Sequence, residues 1–286
     1  MALSVKKTTS RLAVLGELGR YPIFIPTLAN CLNYKLSLLS RKSSNKMIGH
    51  VLVEMEKLKN INCDSWLTRV FKIEKVLDIP QNIFYHKTSG KKILAILKSR
   101  FDLNFILKIN EVKQTNSDPM DHNKLRTYRT LKSSFTREPY IDLVRNRNQR
   151  CFISRLRVGS HNLRVELGRH TRPITPFAQR TCQYCCQAPP GPYSQQAPRT
   201  PVSLTPAPTD TEFHFLMNCP MFDCDRNCLF KRFETLDFHF SSLTPEEKFK
   251  VLLCPVNATA TKLVNRFIKN MFKKRETLGE NTFTRV

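Results

Sequence analysis

Residues 261–274 read TKLVNRFIKNMFKK, and their spacing is that of an α-helix. Val264, Phe267, Ile268, Met271 and Phe272 recur at i, i+3, i+4, i+7 and i+8, while Lys262, Arg266, Lys269, Lys273 and Lys274 take the other face. The same period returns in the first hundred residues. It predicts a helix over 22–40, where Ile25, Leu28, Leu32, Leu36 and Leu39 repeat and Pro22 suits a first turn. A second is predicted over 47–60 and a fourth over 91–107. Between them 64–79 reads as a third, with Asp64 or Ser65 as N-cap, Trp66, Val70, Ile73 and Leu77 on one face and Pro80 beyond its end. Only 8 Gly stand beside 17 Pro, a balance that favours helices joined by defined breaks. With 286 residues, 41% of them hydrophobic and 19 of them Phe, the chain can bury a substantial core.

The expected class is therefore mainly α: a bundle-like helical region, a basic helical segment, then a small zinc knuckle of Cys-Cys-His-Cys type. The boundaries follow composition. Residues 1–111 form the N-terminal helical region, and 112–123 (VKQTNSDPMDHN) a polar linker. The basic segment is 124–180, the knuckle 181–225, and a C-terminal helical region covers 226–286. The knuckle is interrupted by 187–209, which hold seven prolines and almost no charge and read as a flexible, partly polyproline-II loop.

Lys and Arg number 47 against 23 Asp and Glu, a formal charge of +24. A field of that sign attracts polyanions, nucleic acid above all. Residues 124–180 concentrate it, with fourteen Lys and Arg opposed by Glu138, Asp142 and Glu166. Helical spacing lets Tyr140, Val144, Cys151, Phe152 and Leu156 face inward while the arginines face out, where they can grip phosphates.

Six of ten cysteines crowd between 182 and 228. The start of the chain shows no apolar signal segment, and no run of about 18 apolar residues suggests a membrane span. A reducing compartment, nuclear or cytoplasmic, is expected, and there clustered cysteines point to metal. Cys182-Gln-Tyr-Cys185 offers two thiolates from one turn, and His214-Phe-Leu-Met-Asn-Cys219 offers an imidazole and a thiolate beyond the proline loop. Three sulfurs and one nitrogen suit tetrahedral Zn²⁺ and fill its coordination sphere, so the site would be structural. The alternative is a set of buried free cysteines. Cys186 competes with Cys185, whereas Cys224 and Cys228 are expected to face a core. No catalytic motif is found: no acidic polymerase turn, no phosphate-cradling Gly loop, no HExxH. Asp223-Cys-Asp225 lacks a third acid.

Residues 131–145 (LKSSFTREPYIDLVR) and 146–169 (NRNQRCFISRLRVGSHNLRVELGR), then CQYC at 182–185 and EFHFLMNCPMF at 212–222, resemble the C-terminal part of the reverse-transcriptase polyprotein of invertebrate non-LTR (LINE-type) retrotransposons. Residues 11–23 (RLAVLGELGRYPI) resemble the segment that follows the polymerase there. The resemblance implies a mostly helical fold with a cysteine–histidine knuckle, and a role in holding RNA or DNA during reverse transcription. It places the metal ligands at Cys182, Cys185, His214 and Cys219 and the basic block at Arg155, Arg157, His161, Arg164 and Arg169. Arg145, Arg147 and Arg150 join that block by charge. The long proline-rich insert departs from the family. The polymerase and endonuclease segments are lacking, so the chain reads as a fragment, a decayed copy or a host protein derived from one. The expected partner is RNA or DNA, with no membrane and no small-molecule substrate. The competing reading is a non-catalytic structural or protein-interaction remnant.

Overall fold

Asn45, Ser65, Ser89 and Thr244 each turn a side-chain oxygen onto the first free amides of a helix. Those donors lack partners one turn earlier, and the cap supplies one. The computed structural model describes residues 3–42, 44–61, 63–79, 89–111, 124–185, 207–237 and 239–283. The chain is mainly α, and among these residues the only β pairing is an isolated bridge between Thr181 and Thr209. The expected linker 112–123, most of the proline loop, Cys186, His86 and His122 lie outside the described residues.

The chain divides into two units, Gly19–Glu111 and Met1–Leu18 with Val112–Val286. The expectation had put residues 1–111 together. Instead α1 (Arg11–Leu18) belongs with the C-terminal residues, because its buried Ala13 and Glu17 find their hydrogen-bond partners there.

The smaller unit holds α2 (Phe24–Arg41), α3 (Lys46–Asn60), α4 (Trp66–Val76) and α5 (Gly90–Asn110). Helix α5 buries Ile93, Leu97, Phe101, Phe105 and Ile109, one residue in four, against α2, which answers with Ile25, Leu28, Leu32 and Leu36. The periodicity read from the sequence is the packing face. Among the described residues, no helix is long and apolar enough to cross a membrane.

The larger unit continues with α6 (Arg126–Leu131), α7 (Pro139–Leu143), α8 (Cys151–Arg157), α9 (Arg164–Leu167), α10 (Asp223–Glu234), α11 (Pro245–Leu253) and α12 (Ala258–Phe283). Helix α12 lies against α7, α8, α10 and α11 and drives Val264, Phe267, Ile268 and Met271 into one continuous core. That core also takes Cys182, Tyr184, Phe215, Leu216, Met217 and Cys219. The expected knuckle is thus not a separate lobe; its two turns are part of the domain interior, because each carries bulky apolar residues between its ligands. Cys224 and Cys228, expected inside, are exposed on α10, whose inward face is taken by Arg226 and Leu229.

The basic segment is four short helices joined by turns. Helix α8 ends in a Schellman motif: the amide of Ser160 bonds the carbonyl of Arg155 at 2.8 Å and that of Gly159 bonds Leu156 at 3.4 Å. Gly159 has φ +63°, and a Cβ there would meet the carbonyl of Lys124 at 2.9 Å. Gly159→Ala is expected to destabilise the unit by about 2 kcal/mol, combining left-handed strain with that clash. Urea unfolding checks this, and an unchanged midpoint would contradict the geometry.

Candidate metal centre

Two turns separated by the proline-rich insert face each other. The first is Cys182–Cys185, and the second is the stretch His214–Asn218, wound as a π-helix and closed by the amide of Cys219 on the carbonyl of His214 at 2.8 Å. The wider turn matters. On an α-helix residues five apart sit roughly 140° beyond a full turn, so H-x4-C would point its ligands apart. The π-turn brings both to one side, as such turns often do at functional positions.

The Sγ of Cys182 lies 4.0 Å from that of Cys219, Cys185 Sγ lies 3.9 Å from Cys219 Sγ, and Cys185 Sγ lies 3.1 Å from Nε2 of His214. All four donor atoms fall within 4.8 Å of one another. Two sulfurs sharing one tetrahedral zinc at about 2.3 Å would be about 3.8 Å apart. The cluster therefore fits a single ion of that size, and it is buried except at Cys185. The hydrogen bond between Cys182 and Cys219 draws the Cys182 thiol well below its usual range and pushes Cys219 above it. Two thiols that close share a proton far more readily than they ionise together, which is the state a cation relieves.

The surroundings hold the turns in place. The amide of Cys182 bonds the carbonyl of Pro208 and that of Asp210 bonds Arg180, both at 2.8 Å. These bonds flank the Thr181–Thr209 bridge and clamp the two ends of the insert, so the ligand geometry does not depend on what lies between them. Arg226 donates to the carbonyls of Leu216 at 2.8 Å and Cys219 at 2.7 Å, tying the π-turn to α10. From α12, Arg275 stacks over Tyr184 at 4.5 Å and forms a two-pronged pair with Asp210 at 3.0 and 2.6 Å. Burial would weaken the charge on Arg275, but the bond to Asp210 outweighs it and holds the guanidinium pKa above its ordinary value. Glu212 anchors the second turn, accepting from Arg126 at 2.7 and 2.6 Å, from Thr127 at 3.0 Å and pairing with His161 Nε2 at 2.7 Å. Burial alone would raise the Glu212 carboxyl; Arg126 and His161 reverse that and keep it well below the usual carboxylate range.

The eight residues expected to contact nucleic acid separate into two sets. Arg157 is fully buried, bonded to Glu17 and Glu138 at 2.8 Å each and to the carbonyl of Leu253 at 3.0 Å. His161 is buried on Glu212, and Arg150 is buried against the carbonyls of Ile141, Val144 and Arg145. Arg169 is partly buried beside Glu166 at 3.4 Å. The expectation that these residues face solvent is corrected: Glu17 and Glu212, far away in sequence, hold Arg157 and His161 inside, while nearby backbone carbonyls hold Arg150 and the neighbouring Glu166 half-covers Arg169. Arg145, Arg147 and Arg164 are exposed, and Arg155 is half-exposed.

Sequence reasoning did not single out Asp210, Glu212, Arg226 or Arg275. A signal existed for two of them: Asp210 and Glu212 are the only acids between 181 and 222, and they immediately precede the His214 turn. No known protein family matches the chain, and neither a curated protein nor a solved structure does.

Proposed function

We propose that the C-terminal unit is a nucleic-acid-binding module whose surface is held by a structural Zn²⁺ on Cys182, Cys185, His214 and Cys219. The observation that carries the reading is the closed donor set, three sulfurs and one nitrogen within 4.8 Å. Such a set leaves zinc no open position for water, which favours a structural over a catalytic ion. Charge supports the second half. Among the described residues, six buried bases stand against five buried acids, so the buried interior absorbs charge almost evenly and the excess of cations over acids lies outside it. Arg145, Arg147 and Arg164 present part of it beside the metal-bearing core, and Lys262, Arg266, Lys269 and Lys273 line the outer face of α12. The resemblance to the post-polymerase region of non-LTR retrotransposon polyproteins points the same way, and this chain is read as a piece derived from one, without catalytic groups of its own.

Phosphate contacts predict steep salt dependence, log K falling by about 0.9 per duplex phosphate neutralised. Arg145→Gln and Arg164→Gln are each expected to lower that slope by about 1, equally for unrelated sequences. Filter binding across a salt series measures this. Absence of binding at low salt would rule the reading out and leave the other one, a structural or protein-interaction remnant, which the inward-facing Arg150, Arg157 and His161 favour.

A further inference from the structure

A cleft of about 360 Å³, with none of the four candidate metal ligands in its lining, opens in the larger unit between residues 4–6, α8 and the turn that follows it, and the C-terminal half of α12. Its size is that of a small-ligand site. Phe152 and Phe272 form its apolar wall, their rings nearly parallel at 29° with centroids 6.2 Å apart. Two cations flank the wall. Arg155 lies over the Phe152 ring at 5.2 Å and spends only its Nε on the protein, donating to the carbonyl of Ser4 at 2.9 Å. Lys6 Nζ rests on Asn162 Oδ1 at 2.6 Å and the carbonyl of His161 at 3.3 Å, both neutral acceptors. Neither cation is paired with a carboxylate among the described residues. The exposed Glu276 of α12 also lines the cleft. The backbone of Ser4 is held at φ +53°, a left-handed conformation rare for serine that sets its carbonyl on Arg155.

An aromatic wall beside uncompensated cations and a lone acceptor is the chemistry of a base with its phosphate. We propose that this cleft takes one nucleotide unit of a single-stranded nucleic acid. The base lies against the ring edges that Phe152 and Phe272 turn to the cleft, its amino edge reaches Glu276, and its phosphate meets Arg155 and Lys6. The inference rests on the nucleic-acid reading above and adds to it a strand state and a place. In a duplex, stacking neighbours cover the base faces, so the cleft selects an unpaired strand. A free nucleoside monophosphate offers the same groups.

The test is fluorescence anisotropy on the full, zinc-loaded chain with a labelled 12-nucleotide single strand. Its unlabelled duplex form and adenosine monophosphate serve as competitors. The single strand is expected to outcompete the duplex. The Lys6→Gln/Arg155→Gln double variant is expected to weaken single-strand binding about ten-fold and duplex binding less than about two-fold. Because Arg155 also packs on Phe152, Lys6→Gln alone is measured beside it, with about a three-fold loss expected. Unchanged single-strand affinity in both variants, with nucleic acid still bound, overturns the cleft and leaves the proposed function standing. Adenosine monophosphate competing as well as the oligonucleotide overturns the strand assignment in favour of a free nucleotide. Failure of the parent chain to bind either nucleic acid removes both proposals.

Discussion

If the proposed zinc is bound, Cys182→Ser is expected to remove it from the larger unit and lower the melting temperature by more than about 10 °C. Serine keeps the shape of the side chain and removes the soft ligand, so the change isolates coordination from packing. Structural zinc contributes about 10–16 kcal/mol in small sites at neutral pH, as much as the whole stability of a typical domain. The larger unit has an apolar core of its own, running from Leu3 to Met271, so part of its fold should survive without metal. What should be lost is order in the two ligand turns, where Cys182, His214 and Cys219 are buried and would face one another without a cation. Elemental analysis should find one zinc per parent chain and none in Cys182→Ser. Cys228→Ser, on an exposed position of α10, should match the parent. A parent chain free of zinc, or a Cys182→Ser chain that melts with it, would refute the centre.

Arg157→Met is expected to cost about 3–5 kcal/mol, the usual cost of removing one partner from a buried ion pair. The guanidinium stands between Glu17 and Glu138 with no access to solvent, and the Tyr140 hydroxyl also bonds Glu17. Lys132 remains on Glu138, but no other basic side chain pairs with Glu17 among the described residues. Glu17 would then be a buried carboxylate held, among the described residues, only by hydroxyl donors such as Tyr140. The double change Glu17→Met/Arg157→Met should recover part of the loss, since replacing both members of such a pair by apolar groups can be nearly neutral. Denaturant melts of the two single and the double variants give the coupling directly. The salt slope of nucleic-acid binding should stay that of the parent once the variants are folded, because Arg157 does not reach the surface. A reduced slope in a folded Arg157→Met would place this residue in the binding face after all.

The contrast between these two sites shows what local pattern can report. His214 and Cys219 were legible as ligands from their chemistry, since three thiols and an imidazole in two short runs have few other uses. Their spacing brings them to one ion by a route the sequence does not spell out: a regular helix would turn them apart, and the π-turn, whose Leu216 and Cys219 carbonyls accept from Arg226, closes the angle. The arginines of 145–169 looked equivalent in sequence. They differ because Glu17 on α1 and Glu212 before the His214 turn capture Arg157 and His161 from 140 and 51 residues away. No periodicity within the segment can encode a partner at that distance.

Composition and period by themselves determined that this chain is mainly helical, where its stripes of Ile, Leu and Phe would be buried, and which four side chains are candidate ligands for a metal. The first two are properties of neighbours three or four residues apart, and the third of residue types grouped in two short runs. Tertiary structure alone decided that α1 joins the C-terminal core, that the ligand turns are interior and not a separate knuckle, and which cations remain on the surface. Each of those outcomes depends on desolvation. A buried charge must find its counter-charge, and the fold, through residues distant in sequence, chooses which cations are neutralised inside and which stay free to meet a polyanion.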